Sequence, residues 1–256
     1  MPSFISAAKV LATLAFSAVS VSAFDATASD NLAVYWVKDP PLLTCKFSTD
    51  MPSQGQGNNQ NSLGSFCNDD TIDIIPIGYV NVFPDEAGSN GYPGTNFGNA
   101  CGGVYTTAGG QTTQLLGPCP GIEADIKACQ ANGKKILLSL GGGAATGAYL
   151  ASDTTAVAFA DFLWGAFGPV TEEWTTAGNP RPFGDAVIDG FDFDIESLAA
   201  DIPTAIDAGY AAMANEFRRL FALCLGSTFY LSAAPECIIP DGHLANAISN
   251  AVFDFL

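Results

Sequence analysis

The chain has 256 residues, 48% of them hydrophobic, and carries 9 Lys and Arg against 26 Asp and Glu for a formal charge of −17. That is enough apolar content for one sizeable core. The acidic surface repels phosphate backbones and anionic lipid, which excludes nucleic acid and the membrane as expected partners and leaves a neutral polysaccharide compatible.

In chain order, residues 1–23 read as a secretory signal. Lys9 and the amino terminus supply positive charge, Val10–Phe16 is apolar, and Val21-Ser22-Ala23 is a small-residue cleavage site. The apolar run is well short of the roughly 20 residues that a membrane span needs. A secreted protein, extracellular or in the cell wall, is therefore expected. Seven cysteines (Cys45, Cys67, Cys101, Cys119, Cys129, Cys224 and Cys237) fit an oxidising compartment. None forms a Cys-x-x-Cys pair and His243 is the sole histidine, so a structural zinc site lacks ligands at the right spacing.

Leu32–Trp36 reads as a first strand and Ile72–Val82 as a second. A helix over Ile122–Asn132 closes at Gly133, and a third strand, Lys135–Leu140, ends in Gly141-Gly142-Gly143. Helical Thr155–Phe167 precedes a fourth strand, Val187–Glu196. Then come a long helix over Ala205–Leu225, a fifth strand over Phe229–Ala234, a short helix over His243–Asn250 and the start of a sixth strand at Val252–Leu256. This alternation predicts an α/β fold with a parallel sheet covered by helices, and leaves open whether the sheet closes. The glycines after strand three do not form a phosphate loop, since neither Gly-x-Gly-x-x-Gly nor Gly-Lys-Ser/Thr is present there.

The fourth strand carries the chemistry. Alternate side chains of a strand share a face, so Asp192, Asp194 and Glu196 point one way and Asp189, Phe191, Phe193 and Ile195 the other. The phenylalanines suit a packed sheet–helix interface, which leaves three carboxylates in a row on the inner face. Burying them costs several kcal/mol each, so stability alone does not select them. A cation site fits poorly, because ligands at two-residue spacing stand about 7 Å apart. Repulsion between neighbouring carboxylates instead pushes their pKa values apart. On this reading the outermost, Glu196, keeps a proton near neutral pH and serves as general acid at the strand's C-terminal end.

The run Asp189-x-x-Asp192-x-Asp194-x-Glu196 resembles the strand-four signature of glycoside hydrolase family 18. Ser139-Leu140-Gly141-Gly142 matches that family's strand-three signature, while Ala33–Trp36 and Tyr230–Pro235 resemble its first and fifth strands. The arrangement resembles the class III, plant and fungal, chitinases from about residue 31 onward. The resemblance implies a (β/α)8 TIM barrel and an endo-chitinase acting on β-1,4-linked N-acetylglucosamine with retention. Glu196 would be the proton donor and the substrate's own 2-acetamido oxygen the nucleophile, an exception to the two-carboxylate scheme. Asp194 would orient the acetamido N–H, Asp192 would share a proton with it, and Asp189 would support the strand from behind. Tyr35 and Asn81 would be substrate-pocket residues, and Ser139, Gly141 and Gly142 structural support. The implied partner is chitin or its oligosaccharides, with no metal or cofactor and a monomeric state. Cys67–Cys129 and Cys101–Cys119 would be disulfides, Cys237 would pair beyond the present end, and Cys224 could replace it or stay free.

Two departures stand out. Residues 37–54 interrupt a first-strand pattern that removal would restore as Tyr35-Trp36-Gly55-Gln56. The insert reads as an unspliced intron, with Val37 able to supply a donor and Gln54 an acceptor, or as a loop beside the pocket. The second departure is an end inside the expected sixth strand, which reads as a barrel truncated after strand six and leaves the activity of the chain itself open. Two further readings share the motif: an endo-β-N-acetylglucosaminidase acting on N-glycans, and a non-catalytic carbohydrate-binding or inhibitor protein. The latter relatives typically lose the terminal glutamate, which Glu196 retains.

Overall fold

The computed structural model describes residues 24–37, 61–86, 88–143, 147–196 and 209–256. The expected signal segment, the insert with Cys45, and the start of the long helix lie outside the described residues, apart from Val37.

A 3-10 turn at Leu63–Phe66 leads into β1 (Ile74–Val82), a two-residue β2 (Gly94–Thr95), β3 (Val104–Thr106) and β4 (Thr112–Leu116). Then follow α1 (Pro120–Ala131), β5 (Lys135–Gly141), α2 (Asp153–Phe167) and the short α3 (Glu172–Thr176). The last elements are β6 (Gly190–Asp194), α4 (Tyr210–Leu223), β7 (Tyr230–Ala233) and α5 (Ala245–Asn250). The principal sheet has the order β2-β1-β5-β6-β7. Its β1–β5, β5–β6 and β6–β7 pairs are parallel, and β2 pairs antiparallel with β1. The sheet is therefore mixed, and the described residues form no closed barrel.

The strand expected at the start is reduced to two parallel bridges, Ala33 to Ile74 and Trp36 to Ile77. The strand expected at residues 252–256 is reduced to one, Ser232 to Phe255. Both segments still hydrogen-bond the sheet: Trp36 N donates to Pro76 O at 2.9 Å, and Ala233 N to Phe255 O at 3.1 Å. The β3–β4 hairpin has no counterpart among the expected elements.

Local chemistry explains the helices. Pro120 opens α1, where its missing N–H costs no hydrogen bond. Ser152 caps α2 in a reciprocal box with Thr155. The apolar stripes of α2 and α4 meet through aromatic contacts such as Trp164–Phe221 at 5.3 Å. Beneath them, Phe191 of β6 stacks on Phe217 of α4 at 4.0 Å, and Phe193 meets the same ring edge-on at 6.3 Å. Leu138 and Leu140 of β5 stand in register with these two phenylalanines, and all four are fully buried. The connection into β6 is organised by Arg181, whose guanidinium donates to the carbonyls of Gly165, Gly168, Gly184 and Ala186 at 2.7–3.0 Å.

Cys67–Cys129 ties the segment after the 3-10 turn to α1, and Cys101–Cys119 closes the loop that carries the hairpin. Both pairings agree with the family expectation. Among the described residues, Cys224 and Cys237 form no disulfide.

Candidate active site

The site lies where the parallel strands end. Parallel register aligns Ser139 of β5, Asp192 of β6 and Ser232 of β7 in one layer. Asp192 is buried there and saturated with donors. Its Oδ2 accepts from the Tyr35 hydroxyl at 2.8 Å and the Ser139 hydroxyl at 2.6 Å, while Oδ1 accepts from Ser232 at 2.6 Å. Burial raises the Asp192 pKa, and the three hydroxyls oppose the rise.

One layer up, Asp194 aligns with Gly141 and is 6% exposed. Burial first, then the charges of Asp192 and Glu196, push its carboxyl up to about 7. Tyr79 of β1 hydrogen-bonds to it and pulls the other way, and Glu196 is a further hydrogen-bond partner. Glu196 follows the end of β6 and is exposed. The three carboxylates thus share one strand face, as alternation predicts, and they run from buried to open along it. The group raised to about 7 is the middle one, Asp194; the sequence alone assigns the retained proton to Glu196.

The glycines after β5 make this proximity possible. Gly141 sits at φ +103° and Gly142 at φ +87°, a region that side chains disfavour. Gly142 N donates to Asp194 O at 2.6 Å. A Cβ on Gly142 would come within 2.9 Å of the Tyr79 ring, and one on Gly143 within 2.9 Å of the Glu196 carboxylate.

Asp189 lies on the other side of the strand, as expected. It accepts from Ile136 N at 2.9 Å and Gln130 Nε2 at 2.8 Å, with Lys135 Nζ at 3.7 Å. Those contacts oppose the upward shift that burial imposes on its carboxyl. Tyr35 joins the cluster through Asp192. Asn81 is half-buried on β1, and among the described residues its side chain makes no hydrogen bond to the carboxylates. Tyr79 and Ser232 also belong to the cluster; Ser232 lies within the fifth-strand resemblance, which gives it no role, and Tyr79 lies in no motif. Alternation from Asn81 back along β1 reaches Tyr79, a usable signal.

Comparison with known proteins gives the site its context. Over 236 residues, 92% of this chain, it is 50% identical to Endochitinase A of Aspergillus niger, and it spans 17% of that protein's length. Among solved structures, a chitinase from Ipomoea carnea is 30% identical with a TM-score of 0.59, covering 84% of this chain and 62% of that one. This chain is thus similar, over most of its own length, to a fungal endochitinase and to a plant chitinase. A xylanase and alpha-amylase inhibitor protein, XAIP-II from Scadoxus multiflorus, is 29% identical with a TM-score of 0.61, covering 88% of this chain and 64% of that one. No protein-family model matches the chain. The proteins similar to this chain thus include a fungal endochitinase and, on a similar fold, an inhibitor protein.

Proposed function

We propose that this chain is the catalytic portion of a secreted, monomeric endochitinase, its sheet forming part of a (β/α)8 barrel. The observation that carries the reading is the carboxylate row itself: a buried Asp192 and an exposed Glu196 flank an Asp194 held at about 7. Such a row stores one proton close to neutral pH and can pass it outward.

Glu196, open to solvent at the strand end, protonates the glycosidic oxygen as the C1–O bond breaks. Asp194 accepts a hydrogen bond from the acetamido N–H and aligns the carbonyl oxygen, which bonds to C1 and gives an oxazolinium ion that keeps its N–H. Water then adds to C1, Glu196 recovers its proton, and the acetamido group is restored with retention. Asp192, fixed by three hydroxyls, shares a proton with Asp194, and its charge helps to push the Asp194 carboxyl up. No residue in this scheme other than the carboxylates exchanges protons.

The likeness to XAIP-II supports a second reading, a sugar-binding or inhibitory protein without turnover. Glu196→Gln separates the two. Turnover of chitooligosaccharides should fall by about 1,000-fold or more while oligosaccharide binding persists. An unsubstituted chain that binds but never cleaves would support the binding protein, and a fully active Glu196→Gln variant would remove Glu196 from its role. Release of glycan from a high-mannose glycoprotein, with no cleavage of chitooligosaccharides, would redirect the reading to an endo-β-N-acetylglucosaminidase.

A further inference from the structure

Asp192 has three hydroxyl donors, whereas Asp194, the group next to the chemistry, depends on fewer. Among the described residues, the titratable groups that face Asp194 are Asp192, Glu196, Tyr79 and, farther off, Tyr35. The two carboxylates disfavour its ionised form, and the hydrogen bond from Tyr79 favours it.

Tyr79 is built to hold that contact. Its backbone is locked to the segment leading out of β2, with Tyr79 N donating to Asn96 O at 3.1 Å and Asn96 N to Tyr79 O at 2.9 Å. Its ring lies against Gly142, where a Cβ would come within 2.9 Å of the ring carbons, and its centroid is 6.4 Å from that of Tyr35. A ring clamped on several sides loses little further freedom when its hydroxyl engages a carboxylate. A phenylalanine would fill the same space, so the packing does not account for the hydroxyl.

We propose that the Tyr79 hydroxyl is a positioning group, holding the Asp194 carboxyl in the row between Asp192 and Glu196 and keeping its ionised form accessible during turnover. This rests on the glycosidase reading of the site. A hydrogen bond to a charged group is among the stronger kinds. Its loss should misalign Asp194 and raise its tendency to hold a proton.

The test is Tyr79→Phe in the full chain, which keeps the ring. Carboxyl carbon resonances of aspartates, followed by pH titration, should include a transition that is absent in Asp194→Asn and moves to higher pH by about half a unit or more in Tyr79→Phe. On chitooligosaccharides, kcat should fall by about ten-fold with KM changed by less than about two-fold. A transition that stays in place in Tyr79→Phe overturns the proposal. In the unsubstituted chain, the ring carbon bearing the Tyr79 hydroxyl should titrate with the same midpoint; a signal flat from about pH 5 to about pH 9 overturns it without any variant. If the unsubstituted chain does not turn over chitooligosaccharides, the glycosidase reading fails, and the titrations still decide the Tyr79 contact.

Discussion

At the scale of single residues, Asp194 is held at a cost. Its carboxyl titrates at about 7 in the folded chain, against about 4 for an unfolded aspartate. Below about pH 4 both states hold the proton and the group is neutral in each. Between about pH 4 and about pH 7 the folded chain binds the proton more tightly than the unfolded chain, so the stability linked to this group falls as pH rises. Asp192 shifts in the same direction and adds to the trend. Asp194→Asn keeps the shape and removes the ionisation. Its melting temperature should match that of the unsubstituted chain near pH 4 and exceed it at pH 8. Scanning calorimetry at the two values checks this, and a variant less stable at pH 8 would contradict the assigned cause. The same substitution should abolish turnover, so here stability and chemistry oppose each other.

At the scale of elements, β6 serves two masters through its alternation. One face carries the carboxylates and the other packs Phe191 and Phe193 on α4. Phe217 is the residue on α4 that touches both rings, and it is fully buried. Phe217→Ala should cost about 3–5 kcal/mol of stability by opening a cavity behind the strand. Turnover per folded molecule should change far less, because Phe217 packs on the phenylalanine face of β6, opposite the carboxylates. Denaturant unfolding and active-site titration would read the two effects separately. This two-faced strand was legible in the sequence because period-two alternation and the family motif coincide on it. So were α1, α2 and β5, whose apolar runs end at clear signals such as Gly133 and Gly141. The β3–β4 hairpin was not, since its strands are short and rich in threonine, although Gly109-Gly110 marks its turn. The proton's place was not legible either. Spacing puts three carboxylates on one face, but it cannot say that Asp194 is buried between two charges while Glu196 is open to water. Ser232 illustrates the same limit, because its role depends on cross-strand register with Asp192 from 40 residues away.

At the scale of the whole molecule, two covalent ties restrain parts of the chain with very different spans. Cys67–Cys129 encloses a separation of 62 residues, and Cys101–Cys119 one of 18. A cross-link stabilises chiefly by denying the unfolded chain its freedom, and the loss grows with the logarithm of loop length. The longer loop should therefore contribute about 4 kcal/mol and the shorter about 3 kcal/mol. The difference is sharpened by position. Both cysteines of the long loop are core residues, and their bridge fixes the 3-10 turn against α1, which contacts β5 beside the site. The short loop instead closes around the hairpin, which hydrogen-bonds to the principal sheet through Leu116 N and the Thr95 hydroxyl at 2.9 Å. Replacing each pair by alanines should lower the denaturant midpoint in both cases, and further for Cys67→Ala/Cys129→Ala. Its kcat should fall only as the folded fraction falls, since neither cysteine is among the partners named for Asp192 and Asp194. A larger loss from Cys101→Ala/Cys119→Ala would mean that the hairpin's packing on the sheet, rather than chain entropy, dominates the stability that these bridges provide.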